Sequence, residues 1–196
     1  MISGIVLKNY YPHRSKLIIL SSTGERLDLP VIKSNLVARI HSGYQVSCLV
    51  ENVQGCEKIT ALELLSAPQI TSWQQLNFLQ QILNLCVFGV MPGATCLVAV
   101  NLLNLLLQTP NLKLEPARQR LFVCHLLAVW GLIPELLATT VEQVRYMYQI
   151  GQLSLADLQI MQINEAIERL LVSWIGQLVQ QYDGVKTFGL IETVMP

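Results

Sequence analysis

A long uncharged tract constrains this chain more than any other feature of its sequence. No Asp, Glu, Lys or Arg occurs between Glu63 and Lys113. A stretch so poor in charge must be buried, either in a lipid bilayer or in the interior of a protein. The composition agrees, because 52% of all residues are hydrophobic and only 13% are charged, about half the usual charged share.

Amide side chains within the tract discriminate between those two environments. They recur every three or four residues, which places each set on one stripe of a helix. A membrane helix needs roughly 20 consecutive apolar residues, and the Pro92–Gly93 pair leaves shorter pieces. We therefore predict a water-soluble helical hairpin over about 73–91 and 93–108; a membrane-embedded hairpin is the alternative. The two sets of amides are Gln74, Asn77, Gln81 and Asn84, then Asn101, Asn104 and Gln108.

The first seventy residues alternate short β-like runs with turn residues. In one run Tyr44, Val46 and Cys48 alternate with other residues, as in a strand with one face in a core. Five such strands suit a small closed barrel of the oligonucleotide/oligosaccharide-binding (OB) type, and a small two-sheet sandwich is the alternative. The predicted strands cover residues 2–7, 16–21, 25–32, 44–53 and 58–65.

Three helices are predicted beyond the hairpin. Pro116 and Gly131 occupy the positions of a first-turn proline and a terminal glycine in the first of these helices. Thr140 and Gln143 are spaced as a capping box, and Ser154 is the expected N-cap of a long final helix. The three helices cover residues 115–131, 140–151 and 155–182.

The order of the predicted elements defines the fold class. Strands followed by helices indicate segregated layers or domains, not a parallel βαβ sheet. We therefore predict an α+β fold in which an N-terminal five-stranded OB-type β-barrel (residues 1–70) precedes an all-helical domain (71–196). The junction is expected within 66–72.

The sequence carries no constellation typical of an enzyme. It has no nucleophile elbow, zinc-protease, P-loop or dinucleotide motif, and His125 is expected to be a hydrogen-bonded core residue. The five cysteines are scattered without a C-x-x-C pair, so neither a disulfide framework nor a zinc site is predicted. We expect no catalytic activity, no metal and no other cofactor. The N-terminus lacks the pattern of a signal peptide, which favours the cytoplasm.

Cations and aromatic residues cluster in the predicted barrel. Single-stranded nucleic acid is held by cationic grooves and by aromatic faces on which bases stack. The alternative is an ordinary barrel surface with solvated Lys and Arg and half-buried Tyr. His13 and His41 lie within the cluster. The candidate contacts are Lys8, Tyr10, Tyr11, Arg14, Lys16, Arg26, Lys33 and Arg39.

Three stretches resemble the bacterial recombination and repair mediator RecO. The first is the opening corner, "GIVLKNYYPHRSKLIILSSTGERLDL". The second, "GYQVSCLVENVQGCEKITALELLSA", is similar to the late barrel strands of that family. The third, "ARQRLFVCHLLAVWGLIPE", is similar to its central helix. The likeness covers most of residues 1–135 in order and general pattern.

The resemblance implies an OB barrel followed by helices, with DNA as the partner. It implies binding of single- and double-stranded DNA, strand annealing, and loading of RecA onto DNA coated with single-strand-binding protein, without a membrane or a small-molecule substrate. By position, Arg14, Lys16, Lys33 and Arg39 would contact DNA.

The chain departs from the RecO pattern at three places. The loop in "VIKSNLVARI" keeps only Lys33 and Arg39 as cations, residues 131–196 lack the four-cysteine zinc site of many members, and "DGVKTFGLIE" has one lysine. Binding to DNA is therefore expected to be weak and sensitive to salt. A protein-interaction module that retains the architecture without the DNA role is the alternative.

Overall fold

The chain forms two compact units, Met1–Leu112 and Lys113–Pro196, and each is described by itself. Their structure is a computed structural model. It describes residues 1–32, 35, 37–70, 72–109, 115–133 and 140–181.

The first unit begins with five strands that form one antiparallel sheet in the order β3-β2-β1-β4-β5. Just after β3, Val31 forms a parallel bridge with Ile59 of β5, and the Ile32 N–H donates to the Ile59 carbonyl at 2.9 Å. The two edges of the sheet therefore meet, and the predicted α+β fold with an N-terminal OB-type barrel is confirmed. The strands are β1 (Ile2–Asn9), β2 (Lys16–Ser21), β3 (Arg26–Pro30), β4 (Gln45–Val53) and β5 (Cys56–Ser66).

Both sides of β1 and β2 are buried. One side lines the barrel interior, where Val6, Leu17 and Ile19 belong to the main apolar cluster. Residues that point to the other side, including Leu7 of β1 and Ile18 of β2, are buried as well. A helix packs against β1. The continuous apolar run of β2 is typical of a strand covered on two sides.

The uncharged tract supplies two helices, α1 (Trp73–Gly89) and α2 (Leu97–Gln108), to the first unit. Ser72 caps α1 as expected, because its Oγ accepts from the Gln75 N–H at 3.2 Å. The predicted start of the second helix at residue 93 is wrong, because α2 begins at Leu97, four residues later. The backbone that follows Pro92 pairs instead with the β2–β3 turn, since the Arg26 N–H donates to the Ala94 carbonyl and the Cys96 N–H to the Gly24 carbonyl.

The amides of α1 share a helix but not an environment. Gln74 is exposed, Asn77 and Asn84 are half-buried, and Gln81 is buried at 4% exposure. The helical period is therefore confirmed, whereas the stripe runs from solvent into the interior of the unit. No helix in the described part of the chain combines the length and apolar character that crossing a membrane requires.

The secondary structure changes where the sequence predicted, but the compact unit extends further. Strand β5 ends at Ser66 and α1 begins at Trp73. The first unit nevertheless runs to Leu112, because the hairpin is tied to the barrel by backbone hydrogen bonds and buried side chains. A boundary near residue 70 marks a change of secondary structure and not the edge of this unit.

Four helices are described in the second unit: α3 (Pro116–Val129), α4 (Val141–Gln152), α5 (Leu155–Ile160) and α6 (Glu165–Gln181). Pro116 opens α3, Thr140 and Gln143 form the predicted capping box, and Ser154 caps α5. These end signals are local. Each of the two caps connects a side chain with a backbone group three residues away, and proline suits the first turn through its own fixed backbone angle.

The single long helix predicted over 155–182 is wrong, because residues 161–164 are not helical. The Arg118 guanidinium donates to the carbonyls of Leu158 and Met161, which satisfies acceptors at the end of α5. The Asn164 Oδ1 then accepts from the Ile167 N–H at 2.9 Å and caps α6. The contacts of Arg118 at the end of α5 and the Asn164 cap at the start of α6 together divide the predicted helix into two.

His125 lies in the core of the second unit, as predicted. It is 1% exposed, and its Nδ1 lies 2.8 Å from the Ile150 carbonyl oxygen. Because a carbonyl only accepts, Nδ1 carries the proton. Burial disfavours the imidazolium and outweighs the favourable hydrogen bond to Ile150, so the pKa of His125 lies below its ordinary value.

Gly4 on β1 gives the first stability prediction. A Cβ there would lie 2.7 Å from Ile19 Cγ2 and 2.9 Å from Ser21 Cα. We expect Gly4→Ala to lower the free energy of unfolding by about 2 kcal/mol or more, because β2 cannot move away from β1 without breaking the ladder. Urea denaturation measures this. Ser3→Ala, at an exposed neighbouring position, is the control and is expected to change stability by less than about 0.5 kcal/mol.

His125 gives a prediction for pH dependence. Since its pKa is lowered in the folded state, the unfolded chain binds the proton more tightly, and folding stability is lost as pH falls below about 6.5. Urea denaturation between pH 7.5 and 5.5 is expected to show a smaller loss for His125→Gln than for the wild type. His13→Gln, at an exposed position, keeps the wild-type dependence. Equal slopes for wild type and His125→Gln would contradict the assignment.

Candidate nucleic-acid interface

The β1–β2 loop (residues 10–15) holds three of the eight predicted contacts, Tyr10, Tyr11 and Arg14, and Lys8 precedes it on β1. A β-bulge between Val6 and Lys8 interrupts the alternation of β1, and Lys8 is exposed. A bulge re-aims the side chains that follow it. The Lys8 Nζ lies 5.0 Å from the centre of the Tyr10 ring, which is within cation–π distance.

Two more predicted contacts project from this loop. Tyr11 is 49% exposed, and Arg14 is exposed. The loop is held by its backbone, since the Tyr10 N–H donates to the Lys16 carbonyl at 3.1 Å and the Arg14 N–H to the Tyr10 carbonyl at 3.0 Å. An exposed tyrosine and an exposed arginine therefore stand on a hydrogen-bonded turn, and both side-chain types suit single-strand binding.

A short 3₁₀ helix, η1 (Val37–Arg39), brings a further cation to the same end of the barrel. The Asn9 Nδ2 donates to the carbonyls of Val37 and Ile40, both at 2.8 Å. The Asn9 Oδ1 accepts from the Tyr11 N–H at 2.9 Å. One amide at the end of β1 thus joins the β1–β2 loop to η1, where Arg39 is exposed.

Sequence reasoning missed Asn9. A single asparagine between a lysine and a tyrosine carries no pattern of its own, and its carbonyl partners lie 28 and 31 residues away.

The two histidines of the predicted cluster have different surroundings. His13 is exposed in the loop, and His41 contacts Tyr44 edge to face with ring centres 5.4 Å apart.

Two of the predicted contacts, Lys16 and Arg26, are already engaged by an acidic residue. The Lys16 Nζ lies 3.1 Å from Asp28 Oδ2, and the Arg26 Nε lies 2.7 Å from Asp28 Oδ1. Burial alone would raise the pKa of Asp28, but the hydrogen bonds and charges of Arg26 and Lys16 outweigh it, so this pKa lies below its ordinary value.

Arg26 has a structural role in addition. Its Nη1 donates to the carbonyls of Val87 and Val90 at the C-terminal end of α1, and its side chain is 10% exposed. A cation is well placed there, because the last carbonyls of a helix lack intrahelical partners. The donors of Arg26 therefore face protein atoms, and we leave it out of the candidate interface.

The face of the barrel that OB folds commonly use for ligands spans strands 2 and 3. Here Asp28 pairs with both Lys16 and Arg26, and the neighbouring Ile18 and Leu20 are buried. The described site is consequently confined to the corner formed by the β1–β2 loop and η1. We call this the barrel corner, defined by Lys8, Tyr10, Tyr11, Arg14 and Arg39. Lys33 lies outside the described residues.

The barrel corner combines cationic and aromatic side chains. It offers three cations and two tyrosines, with no acid among its five residues. Among the described residues, no group of three His, Cys, Asp or Glu side chains could hold a metal ion. No protein-family model matches this chain, and no curated protein matches it either.

The structural role of Arg26 predicts that replacing it destabilises the protein more than replacing Arg14 does. We expect Arg26→Ala to lower the free energy of unfolding by about 2–3 kcal/mol, because Asp28 and the α1 carbonyls lose charged donors. Arg14→Ala, at an exposed position, is the matched control and is expected to change stability by less than about 0.5 kcal/mol. Urea denaturation of both variants measures this. Equal effects would show that Arg26 does not hold α1.

Proposed function

We propose that this protein binds single-stranded nucleic acid through the barrel corner. The observation that carries the proposal is the convergence of Lys8, Tyr10, Tyr11, Arg14 and Arg39 at one end of an OB-type barrel. Two of these cations come from β1 and its loop, and Arg39 comes from η1. Asn9 holds those two segments together.

Each residue type has a distinct task in this proposal. The ammonium and guanidinium groups neutralise phosphates and release counterions, which supplies affinity at low salt. Tyr11 offers an exposed face to an unstacked base, an interaction worth about 1–3 kcal/mol per base. Lys8 lies over Tyr10 and can contact a phosphate beside a stacked base. None of these interactions needs a catalytic residue, so we propose a binding function and not an enzymatic one.

The resemblance to RecO extends the proposal to a cellular role. A RecO-type mediator in the cytoplasm would bind single- and double-stranded DNA, anneal strands, and assist loading of RecA onto DNA coated with single-strand-binding protein. Because Asp28 already pairs with Lys16 and Arg26, the described part of the strand 2–3 face leaves few cations for such contacts. We therefore propose a mediator whose hold on DNA is weak and strongly dependent on salt.

A salt titration with a fluorescent oligothymidylate tests the proposal. For single strands the slope of log K against log salt is about −0.7 per phosphate neutralised. The double substitution Arg14→Ala and Arg39→Ala is therefore expected to make the slope less steep by about 1.4. The double substitution Arg145→Ala and Arg169→Ala removes two exposed arginines from the second unit and is expected to leave the slope unchanged.

The same titration separates the proposal from its alternative. A slope that is equal in the wild type and the Arg14/Arg39 double variant would contradict the barrel corner as the site. Absence of binding at low salt, together with self-association in sedimentation velocity, would favour the protein-interaction module. Exposed apolar side chains, including Trp73 and Leu97 of α1 and α2, are available for such contacts.

A further inference from the structure

We propose that Asn9 is a positioning residue that makes the β1–β2 loop and η1 act on one strand of nucleic acid at the same time. The inference deepens the proposed function and rests on it. Asn9 itself is not assigned a contact with the ligand. Its role is to fix the distance between Arg14 on the loop and Arg39 on η1.

The amide of Asn9 is used almost completely. Both N–H donors of Nδ2 are engaged, by the carbonyls of Val37 and Ile40 at 2.8 Å, and Oδ1 accepts from the Tyr11 N–H at 2.9 Å. Those two carbonyls flank Arg39 in the sequence, and the Tyr11 N–H belongs to the β1–β2 loop. A single rigid planar group therefore connects the backbones on which the two halves of the barrel corner are built.

Each half also has anchors that do not involve Asn9. Val37 and Ile40 are 3% and 1% exposed and belong to the barrel core. The loop is held by the Tyr10 N–H and Arg14 N–H bonds described above. Both halves are therefore expected to form without Asn9, and the amide sets their relative placement.

Relative placement matters because one flexible strand has to reach both halves. When two contacts are held at a fixed spacing, the second forms with a high effective concentration, and affinity exceeds that of either contact alone. When the spacing varies, the second contact contributes less. Removing Asn9 is therefore expected to weaken binding and also to reduce the benefit of Arg39.

A double-mutant cycle tests this with the full-length protein and an oligothymidylate of about 12 nucleotides, within the range of single OB-fold footprints. We expect Asn9→Ala to weaken binding roughly three- to tenfold. Arg39→Ala is expected to weaken binding roughly fivefold in the wild-type background and less than about twofold in the N9A background. Asn52→Ala, at an exposed position on β4, is the matched control and leaves the effect of Arg39→Ala unchanged.

The outcomes are distinguishable from those of the proposed function. If the wild type binds but Arg39→Ala costs the same in both backgrounds, the positioning role is overturned while the site stands. If the wild type does not bind at low salt, the proposed function itself fails, and this inference fails with it. Circular dichroism confirms folding. Asn9→Ser, whose hydroxyl is too short to reach both carbonyls, repeats the cycle if Asn9→Ala unfolds.

Discussion

The first unit depends on burying both sides of β1 and β2. Leu17 and Ile19 line the barrel interior, and Ile18 and Leu20 between them are buried on the other side. A small barrel normally leaves its outer surface to water, so these strands need a second apolar layer. Within the same compact unit the uncharged helix α1 packs against β1 and α2 packs against α1, and they supply that layer. The absence of charge in α1 and α2 and the unbroken apolar run of β2 therefore serve the same apolar layer.

In the proposed function, this second layer limits where a nucleic acid can bind. The outer face of β2 and β3 would be the usual ligand-binding face of an OB fold. Here Arg26 caps the C-terminal end of α1, and Asp28 forms ion pairs with both Lys16 and Arg26. Arg26 illustrates the competition directly, since one guanidinium cannot hold the end of a helix and neutralise a phosphate with the same donors. The barrel corner is not subject to this competition, because the β1–β2 loop and η1 project beyond the strands. The proposed site is small and is not a broad basic surface, so it suits a short length of unstacked strand.

Elements with local signals were predictable from the sequence, and elements set by distant partners were not. The strands, the α3 proline, the Thr140 capping box and the Ser154 cap are signalled within a few residues. The start of α2 was missed because its backbone pairs with the β2–β3 turn, and the break after α5 was missed because Arg118 takes its carbonyls. For the proposed site, the cation–aromatic composition selected Lys8, Tyr10, Tyr11, Arg14 and Arg39, which lie at the barrel corner. It also selected Lys16 and Arg26, because charge type alone does not reveal an acidic partner.

Sequence alone determined the order of strands and helices, the apolar faces, and the corner at which cations and tyrosines alternate. These follow from periods of two and 3.6 residues and from caps that act over three or four positions. Only the tertiary structure decided that Arg26 holds α1, that Gln81 is buried, and that Asn9 joins the β1–β2 loop to η1. The carbonyl partners of Asn9 lie 28 and 31 residues away, and those of Arg26 lie 61 and 64 residues away. Such contacts depend on where folding places the chain, and no local period encodes that placement.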